Sequence, residues 1–543
     1  MALAQINVTV GALAANREKS CETMDRARRR RADLVLFPEL AVTGYPPEDL
    51  LFKPSFIRDN LAALRAIVPR SRGICAVVGY ADRDRSGALF NSAAVLHNGR
   101  LIHRYHKIML PNYGVFDEKR YFTAGKEPLV FVCRGVRVGL SVCEDIWRDD
   151  GPCRTEAASG ARLLVNISAS PYHAGKQRMR ERILTRRARQ CGSWICYANL
   201  LGGQDELIFD GGGMVVSPRG RVLFHAPQFE EGLFVGDLPL GDGTERFRSL
   251  SGRSARPLRS DEEIFRALVL GLRDYVRKNG FSRVVVGLSG GVDSNLVAAI
   301  AVAALGRRAV TGVTLPSRYS SSGTQTDARR AARALGIQFL EIPIEPVFRA
   351  FLSTLERGIG KTRPDVSEEN LQARIRGTLL MALSNKFGWL VLATGNKSEV
   401  STGYCTLYGD MVGGFAVIKD VPKTWVYRVA RHANRHFGKK VIPESVLRRV
   451  PTAELKPRQT DQDVLPPYDK LDAIIRAYVE ERRPATEIRR AFRGRGVSVG
   501  RVLRMIDFNE YKRRQAAPGI KITPLAFGKD RRMPITNAYR EER

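Results

Sequence analysis

The sequence predicts an α/β protein built as two layered domains, and three observations carry that expectation. Its 543 residues are 44% hydrophobic and 27% charged, the balance of a globular chain with enough apolar surface to offset the entropy of ordering. Through the first 240 or so residues, short β-branched runs alternate with polar stretches of helical period. A Gly-, Ser- and Arg-rich stretch at 241–260 lacks apolar periodicity, and a separate βαβ pattern follows it. The expected organisation is therefore a domain at 1–240, a linker at 241–260 and a domain at 261–543.

In chain order, Met1–Gly11 is mildly apolar without a basic start, so it reads as a first strand and not as an export signal. Helices are expected at Asn16–Arg31 and Gly175–Cys191. Strands are expected at Ala32–Phe37, Gly73–Gly79, Ser92–His97, Val136–Ser141, Arg162–Ile167 and Trp194–Tyr197. Beyond the linker, an amphipathic helix over Ile264–Lys278 leads into strand Arg283–Leu288, a Gly-rich turn, helix Asn295–Leu305 and strand Ala309–Leu315. A basic, proline-containing tail follows Asn509.

Composition limits the function. No stretch approaches the roughly 20 apolar residues of a membrane span, so no membrane partner is expected. The eight cysteines form no CxxC pair, which argues against zinc. With no export signal, a reducing cytoplasm is expected, and most of these thiols should serve as small buried hydrophobes. The net charge of +32 raises nucleic acid as a partner. Against it, there is no zinc-finger spacing, no aromatic RNA-binding pattern and no dominant basic segment. Lysines number 19, so arginine supplies the other 69 of the 88 basic residues, spread over both halves. A compositional bias over a solvated surface, with some steering of anionic substrates, accounts for that charge without nucleic acid.

Three motifs in the first half each put a reactive side chain at or just beyond a strand end, where sites collect in layered α/β folds. FPEL places Glu39, YHKIMLPNYGVFDE places Lys107, and GLSVCEDIW places Cys143. Singly, each is ordinarily structural. Together their chemistry is coherent: a thiolate nucleophile, a cation that lowers its pKa or stabilises an oxyanion, and a carboxylate that takes the proton and later activates water. These motifs, in this order, resemble the nitrilase (carbon–nitrogen hydrolase) family over roughly residues 1–240. The resemblance implies an α-β-β-α sandwich and a Glu39–Lys107–Cys143 triad, with Glu39 as general base and Cys143 forming a thioester. NISASPYHAGKQRMR and ANLLGGQDELIFDG are similar to the family's glutaminase subgroup, which implies that Tyr113, Ser170 and Lys176 contact glutamine.

Residues 287–294 read GLSGGVDS between a strand and a helix. Gly290 and Gly291 let backbone N–H groups approach an anion, and Ser289 and Ser294 add hydroxyls. Asp293 could hold Mg²⁺. The lysine of a Walker A loop is absent, which suits a pyrophosphate leaving group. This loop resembles the signature of the N-type ATP pyrophosphatases, a superfamily with a Rossmann-like parallel sheet. Within it, GMP and asparagine synthetases and tRNA-thiolating enzymes remain open on the loop alone. EENLQARIRG, ATGNKSEVSTGYCTLYGDMVGG, IKDVPKTWVY, PTAELKPRQTDQDVLPPYDKLD and NEYKRRQAAPGIK together resemble the glutamine-dependent NAD synthetase family, over nearly the whole chain.

That resemblance implies ATP as substrate, bound by Gly287, Leu288, Ser289, Gly290, Gly291, Val292, Asp293, Ser294 and Thr394. It implies Mg²⁺ shared by Asp293 and Glu399, and deamido-NAD contacts from Asn370, Arg374, Glu399 and Lys512. Arg376 joins Asn370 and Arg374 at helical spacing as a further phosphate-seeking group. Asp410 and Lys423 are placed on a mobile synthetase loop and near the phosphates. Ammonia passing internally from a glutaminase to an adenylated carboxylate, and a homo-oligomeric assembly, are implied as well.

Overall fold

The computed structural model describes residues 1–240, 245 and 247–539. It divides into two compact units, Met1–Leu258 and Arg259–Arg543. Residues 241–244 and 246 of the expected linker lie outside the described residues. Its described remainder is partly structured: Arg248–Ser249 pairs antiparallel with Gly232–Asp237 as an edge strand of the first unit. Two polar residues pair there because the neighbouring strand supplies the hydrogen-bond partners, a signal that apolar periodicity does not carry.

The first unit is a four-layer α-β-β-α sandwich. One sheet has seven strands, in the order Arg248–Ser249, Gly232–Asp237, Ala2–Gln5, Leu34–Leu36, Cys75–Arg83, Leu89–His97 and Arg100–His106. The other has six, in the order Val222–His225, Met214–Val216, Trp194–Asn199, Leu163–Ser168, Val136–Val142 and Leu129–Cys133. Alternate residues of both sheets meet in one apolar core: Leu36, Val77 and Val95 from the first, Leu140, Val165 and Cys196 from the second. The opposite face of the first sheet, with Val35, Ala76 and Val78, is covered by helices Leu13–Arg29 and Pro54–Ile67. Leu164 and Ile195 on the far side of the second sheet pack with Leu184 and Ala188 of helix Lys176–Cys191. Helix Leu13–Arg29 ends in Arg26, Arg28 and Arg29, where positive charge suits the helix dipole.

The second unit holds a five-stranded, wholly parallel sheet in the order Gln338–Glu341, Val310–Thr314, Val284–Gly287, Leu390–Ala393 and Phe415–Ala416. Its central strands Val284–Gly287 and Leu390–Ala393 are nearly continuous Val/Leu runs, as expected where both faces are covered, whereas the edge strand Gln338–Glu341 begins and ends on exposed polar residues. Helices Ser260–Lys278, Val292–Leu305 and Lys423–His436 pack together. Phe348 and Ile375 pack against Val285, Val313 and Val391 in a separate core. A further helical cluster between Leu465 and Phe527 has its own apolar core. Val284–Gly287 leads the chain outward through the two strands on one side, and Leu390–Ala393 starts the other side. The crevice between these two strands is therefore the switch point of the sheet, where ligands collect.

Among the described residues no helix is long and apolar enough to cross a membrane. Four of the eight cysteines are buried and four half-buried.

Candidate active sites

In the first unit, each expected side chain lies at or just beyond a strand end. Strand Leu34–Leu36 leads to Glu39, Arg100–His106 to Lys107 and Val136–Val142 to Cys143. Gly79 lets the Glu39 turn cross its neighbouring strand closely. A Cβ there would lie 2.4 Å from both Leu40 N and Pro38 O. Lys107 and Glu39 are wholly buried, and Cys143 is 3% exposed. Lys107 Nζ donates to Glu39 Oε1 at 2.7 Å and to Glu118 Oε1 at 2.8 Å. Glu39 also accepts Asn91 Nδ2 at 2.7 Å on Oε1 and the Ala169 amide at 2.7 Å on Oε2. Four hydrogen bonds thus fix two carboxylates and one ammonium, which offsets the cost of burying their charge.

Cys143 has φ +47 and ψ −103, a strained position between strand and helix of the kind that projects a nucleophile. Its amide donates to Ile167 O at 2.9 Å. Burial pushes its thiol well above the usual range, Glu39 adds to that, and Lys107 opposes it. Burial and the Glu39 charge thus favour the thiol over the thiolate, so a base beside it would assist attack. Burial first, then the Lys107 charge working against it, leaves the Glu118 carboxyl raised to about 7. The charges of Glu118 and Glu39 overcome the burial of Lys107 and raise its pKa.

Beside this core, Tyr113 Oη donates to Glu144 Oε2 at 2.9 Å. The Lys176 ammonium lies 4.2 Å from the Trp147 ring centre, and burial, aided by Arg180, lowers its pKa to about 8. Ser170 is buried, its amide held by Asn199 Oδ1 at 2.9 Å and its carbonyl by Arg180 Nη2 at 3.2 Å. Three contributors escaped sequence reasoning. Glu118 closes the PNYGVFDE segment but gave no strand-end signal, and Tyr45 Oη donates to it at 2.9 Å. Asn91 lies mid-strand. Asp145, two residues past Cys143, accepts the amides of Ile108 and Met109 at 3.1 and 2.7 Å and that of Val142 at 2.9 Å, which ties the Lys107 turn to the Cys143 turn.

In the second unit the GLSGGVDS loop opens a cavity of about 300 Å³ at the switch point. All eight residues Gly287–Ser294 line it, together with Thr394, Glu399, Asp410 and Lys423. The helix begins at Val292, earlier than the expected Asn295, so Asp293 and Ser294 belong to its first turn. Gly290 needs its hydrogen side chain: φ is +84, and a Cβ would lie 2.1 Å from Thr324 O. Ser289 Oγ accepts the Gly291 amide and lies 3.2 Å from Ser294 Oγ.

Lys423 Nζ donates to Asp293 Oδ2 at 2.5 Å and to Glu399 Oε1 at 3.3 Å. Asn396, missed in the sequence reading, donates Nδ2 to Asp293 Oδ1 at 2.9 Å and forms a capping box with Glu399. Burial, with the Asp293 charge adding and Lys423 opposing, raises the Glu399 carboxyl to about 8. Helix Val366–Phe387 splits its expected contacts. Arg376 lines the cavity and donates Nε to Leu315 O at 3.0 Å. Asn370 and Arg374 turn instead to the Thr406–Leu407 turn, at 2.7 and 3.2 Å. Lys512 donates to the carbonyls of Gly403 and Cys405, each at 2.9 Å. Asp410 Oδ1 accepts the Thr406 amide at 2.7 Å.

A buried acid–lysine pair beside a cysteine at a strained turn, joined in one chain to a parallel-sheet phosphate loop, defines an amide hydrolase domain fused to a nucleotide-dependent synthetase domain. A carbon-nitrogen hydrolase family model matches residues 1–246, and an NAD synthase family model matches residues 264–516. The chain belongs to the glutamine-dependent NAD(+) synthetase family: it is 48% identical to that enzyme of Thermotoga maritima, over 99% of this chain and 98% of the relative. The Aquifex aeolicus enzyme is 46% identical over 99% of each chain. The solved structure of the Acinetobacter baumannii enzyme with adenosine diphosphate has 42% identity, covers 100% of this chain and 99% of its own, and aligns with a TM-score of 0.80. The Cytophaga hutchinsonii enzyme shares the fold at 23% identity and a TM-score of 0.84, over 99% of this chain and 97% of its own. The chain is thus a ligase of NAD biosynthesis that draws nitrogen from glutamine through a nitrilase-type domain, with ATP as a substrate.

Proposed function

We propose that the second unit uses ATP to adenylate the nicotinate carboxylate of deamido-NAD, releasing pyrophosphate, and that ammonia from the first unit displaces AMP to give NAD. A carboxylate oxygen leaves poorly, and adenylation converts it into a good leaving group. In the first unit Glu39 takes the Cys143 proton as Sγ attacks the glutamine amide carbon. Lys107 stabilises the oxyanion, and the proton passes to the departing ammonia. Glu39 then deprotonates water, which attacks the thioester carbon, and the S–C bond breaks to release glutamate and restore the thiol. Tyr113, Ser170 and Lys176 orient the glutamine head group. Ammonia is transferred within the protein, since ammonium in bulk water is no nucleophile.

In the second unit the Gly287–Ser294 backbone and Thr394 hold ATP, and Arg376 and Lys423 offset phosphate charge. Asp293 and Glu399 offer hard oxygen donors already bridged by one cation, the Lys423 ammonium, and among the described residues no cluster of three or more metal-ligating side chains is present. Two carboxylates completed by substrate phosphates fit Mg²⁺. Bound there, Mg²⁺ supplies charge neutralisation on the phosphates. Asn370, Arg374 and Lys512 border the turn at 403–411 that carries Asp410, and they act on deamido-NAD through that turn.

The observation that carries the proposal is the presence in one chain of a buried cysteine beside a Lys-held glutamate and of a phosphate loop without the Walker A lysine. Product analysis with deamido-NAD, ATP, Mg²⁺ and glutamine tests it. NAD, AMP, pyrophosphate and glutamate in equal amounts are expected; ADP with free phosphate overturns the adenylation step.

A homo-oligomer is part of the same reading. On helix Glu345–Ile359, Phe351, Leu355 and Ile359 recur every fourth residue at 48%, 46% and 69% exposure, an apolar stripe suited to a second copy. Leu355→Glu should shift the sedimentation coefficient toward monomer.

A further inference from the structure

Glu399 lines the synthetase cavity from the short helix Lys397–Thr402, which Asn396 caps, while Lys397 of the same helix bonds to residues outside that lining. Lys397 is wholly buried. Its Nζ donates to Glu480 Oε1 at 2.8 Å, Thr523 Oγ1 at 2.6 Å and Leu525 O at 3.0 Å, and lies 3.0 Å from Asp420 Oδ1. Asp420 in turn accepts the amides of Ile522 and Thr523 at 2.8 and 2.7 Å. Glu480 reaches the cluster from a π-helical turn, Arg476–Glu480, a geometry often found near functional sites.

The far end of the same helix is held too. Arg513 donates to Ser401 O at 2.7 Å and Asn509 to Thr402 O at 2.8 Å, so carbonyls left orphaned at a helix end are satisfied. A buried ammonium with two carboxylates adds little net stability compared with apolar packing, but it fixes geometry. Of the groups that hold Lys397, Thr523 and Leu525 lie beyond residue 516, where the match to the NAD synthase family model ends.

We propose that Lys397 is a positioning residue of the synthetase site, and that segment Ile520–Leu525 is the support through which it fixes Asn396 and Glu399 against Asp293. This rests on the reading of Asp293 and Glu399 as the phosphate-side carboxylates. Lys397 touches no substrate and acts by holding the first turn of the helix in register, where a shift near 1 Å costs about a hundredfold in rate.

Thr523→Val and Thr523→Ser form the decisive pair: the first keeps the shape of this buried residue and loses the hydroxyl, and the second keeps the hydroxyl and loses only a methyl group. Amidation of deamido-NAD by ammonium chloride, which bypasses the glutaminase, is measured on the full chain. The expected result is a kcat about tenfold lower for Thr523→Val with the KM for ATP within about twofold, and wild-type behaviour for Thr523→Ser. Lys397→Met should lose about a hundredfold in kcat, with glutaminase turnover unchanged in all three. Wild-type kcat in Thr523→Val, or an equal loss in Thr523→Ser, overturns the inference even if Lys397→Met fails to fold. Full activity of Asp293→Ala would instead overturn the underlying reading of the site.

Discussion

Lys107 Nζ and Glu39 Oε1 meet at 2.7 Å with both side chains sealed from solvent. The same ammonium opposes the burial that pushes the neighbouring Cys143 thiol up. The acid–lysine pair is thus held fixed beside the thiol whose proton Glu39 is proposed to take. Lys107 also answers Glu118, so a single ammonium serves two buried carboxylates.

Lys107→Met should leave both carboxylates without their counter-charge. A loss of about 3–5 kcal/mol is expected from breaking such a buried pair. Chemical denaturation followed by near-UV circular dichroism of the first unit measures it. A loss below about 1 kcal/mol would mean that the carboxylates share a proton instead.

The raised carboxyl of Glu118 makes stability depend on pH. Its folded value near 7 exceeds the ordinary 4.5, so the folded state binds the extra proton between those values. Its contribution is complete below 4.5 and is lost as pH rises through about 7. Thermal unfolding of wild type and Glu118→Gln across this window should show the wild-type advantage shrinking as pH rises. A constant difference would contradict the raised value.

Gly290→Ala should disable the phosphate loop, because its Cβ would meet Thr324 O at 2.1 Å and its φ is +84. Ammonia-supported synthesis should fall at least about a hundredfold, as misplacement of reacting groups costs, while glutamine hydrolysis continues. Gly280→Ala, also at positive φ but with open space around its Cβ, should leave synthesis within about twofold of wild type.

Asp293→Ala should abolish exchange of labelled pyrophosphate into ATP in the presence of deamido-NAD. Lys423→Met should weaken it about tenfold to a hundredfold through lost charge neutralisation. Exchange at the wild-type rate in Asp293→Ala would remove Asp293 from the phosphate site.

Much of this was legible in the sequence. The strand-end positions of Glu39, Lys107 and Cys143 followed from short β-branched runs, and the loop at 287–294 from glycines between a strand and a helix. What stayed hidden depends on tertiary placement. Glu118 lies 79 residues beyond Glu39 in a turn and becomes a partner only when Lys107 reaches both. Asn396 reads as a helix cap, and its second bond to Asp293 spans two separate βα units. The long basic side chains were hardest. In a chain this rich in arginine, nothing local distinguishes Arg376, which lines the cavity, from Arg374, which turns to Leu407 O, or shows that Lys512 closes the carbonyls of Gly403 and Cys405.

The division of labour between the units is tested most directly by one variant with two nitrogen donors. Cys143→Ala is assayed for NAD formation from deamido-NAD and ATP, with glutamine or with ammonium chloride. Glutamine-supported synthesis should vanish while ammonium-supported synthesis stays near wild type. Equal loss with both donors, or persistence with glutamine, would contradict the account.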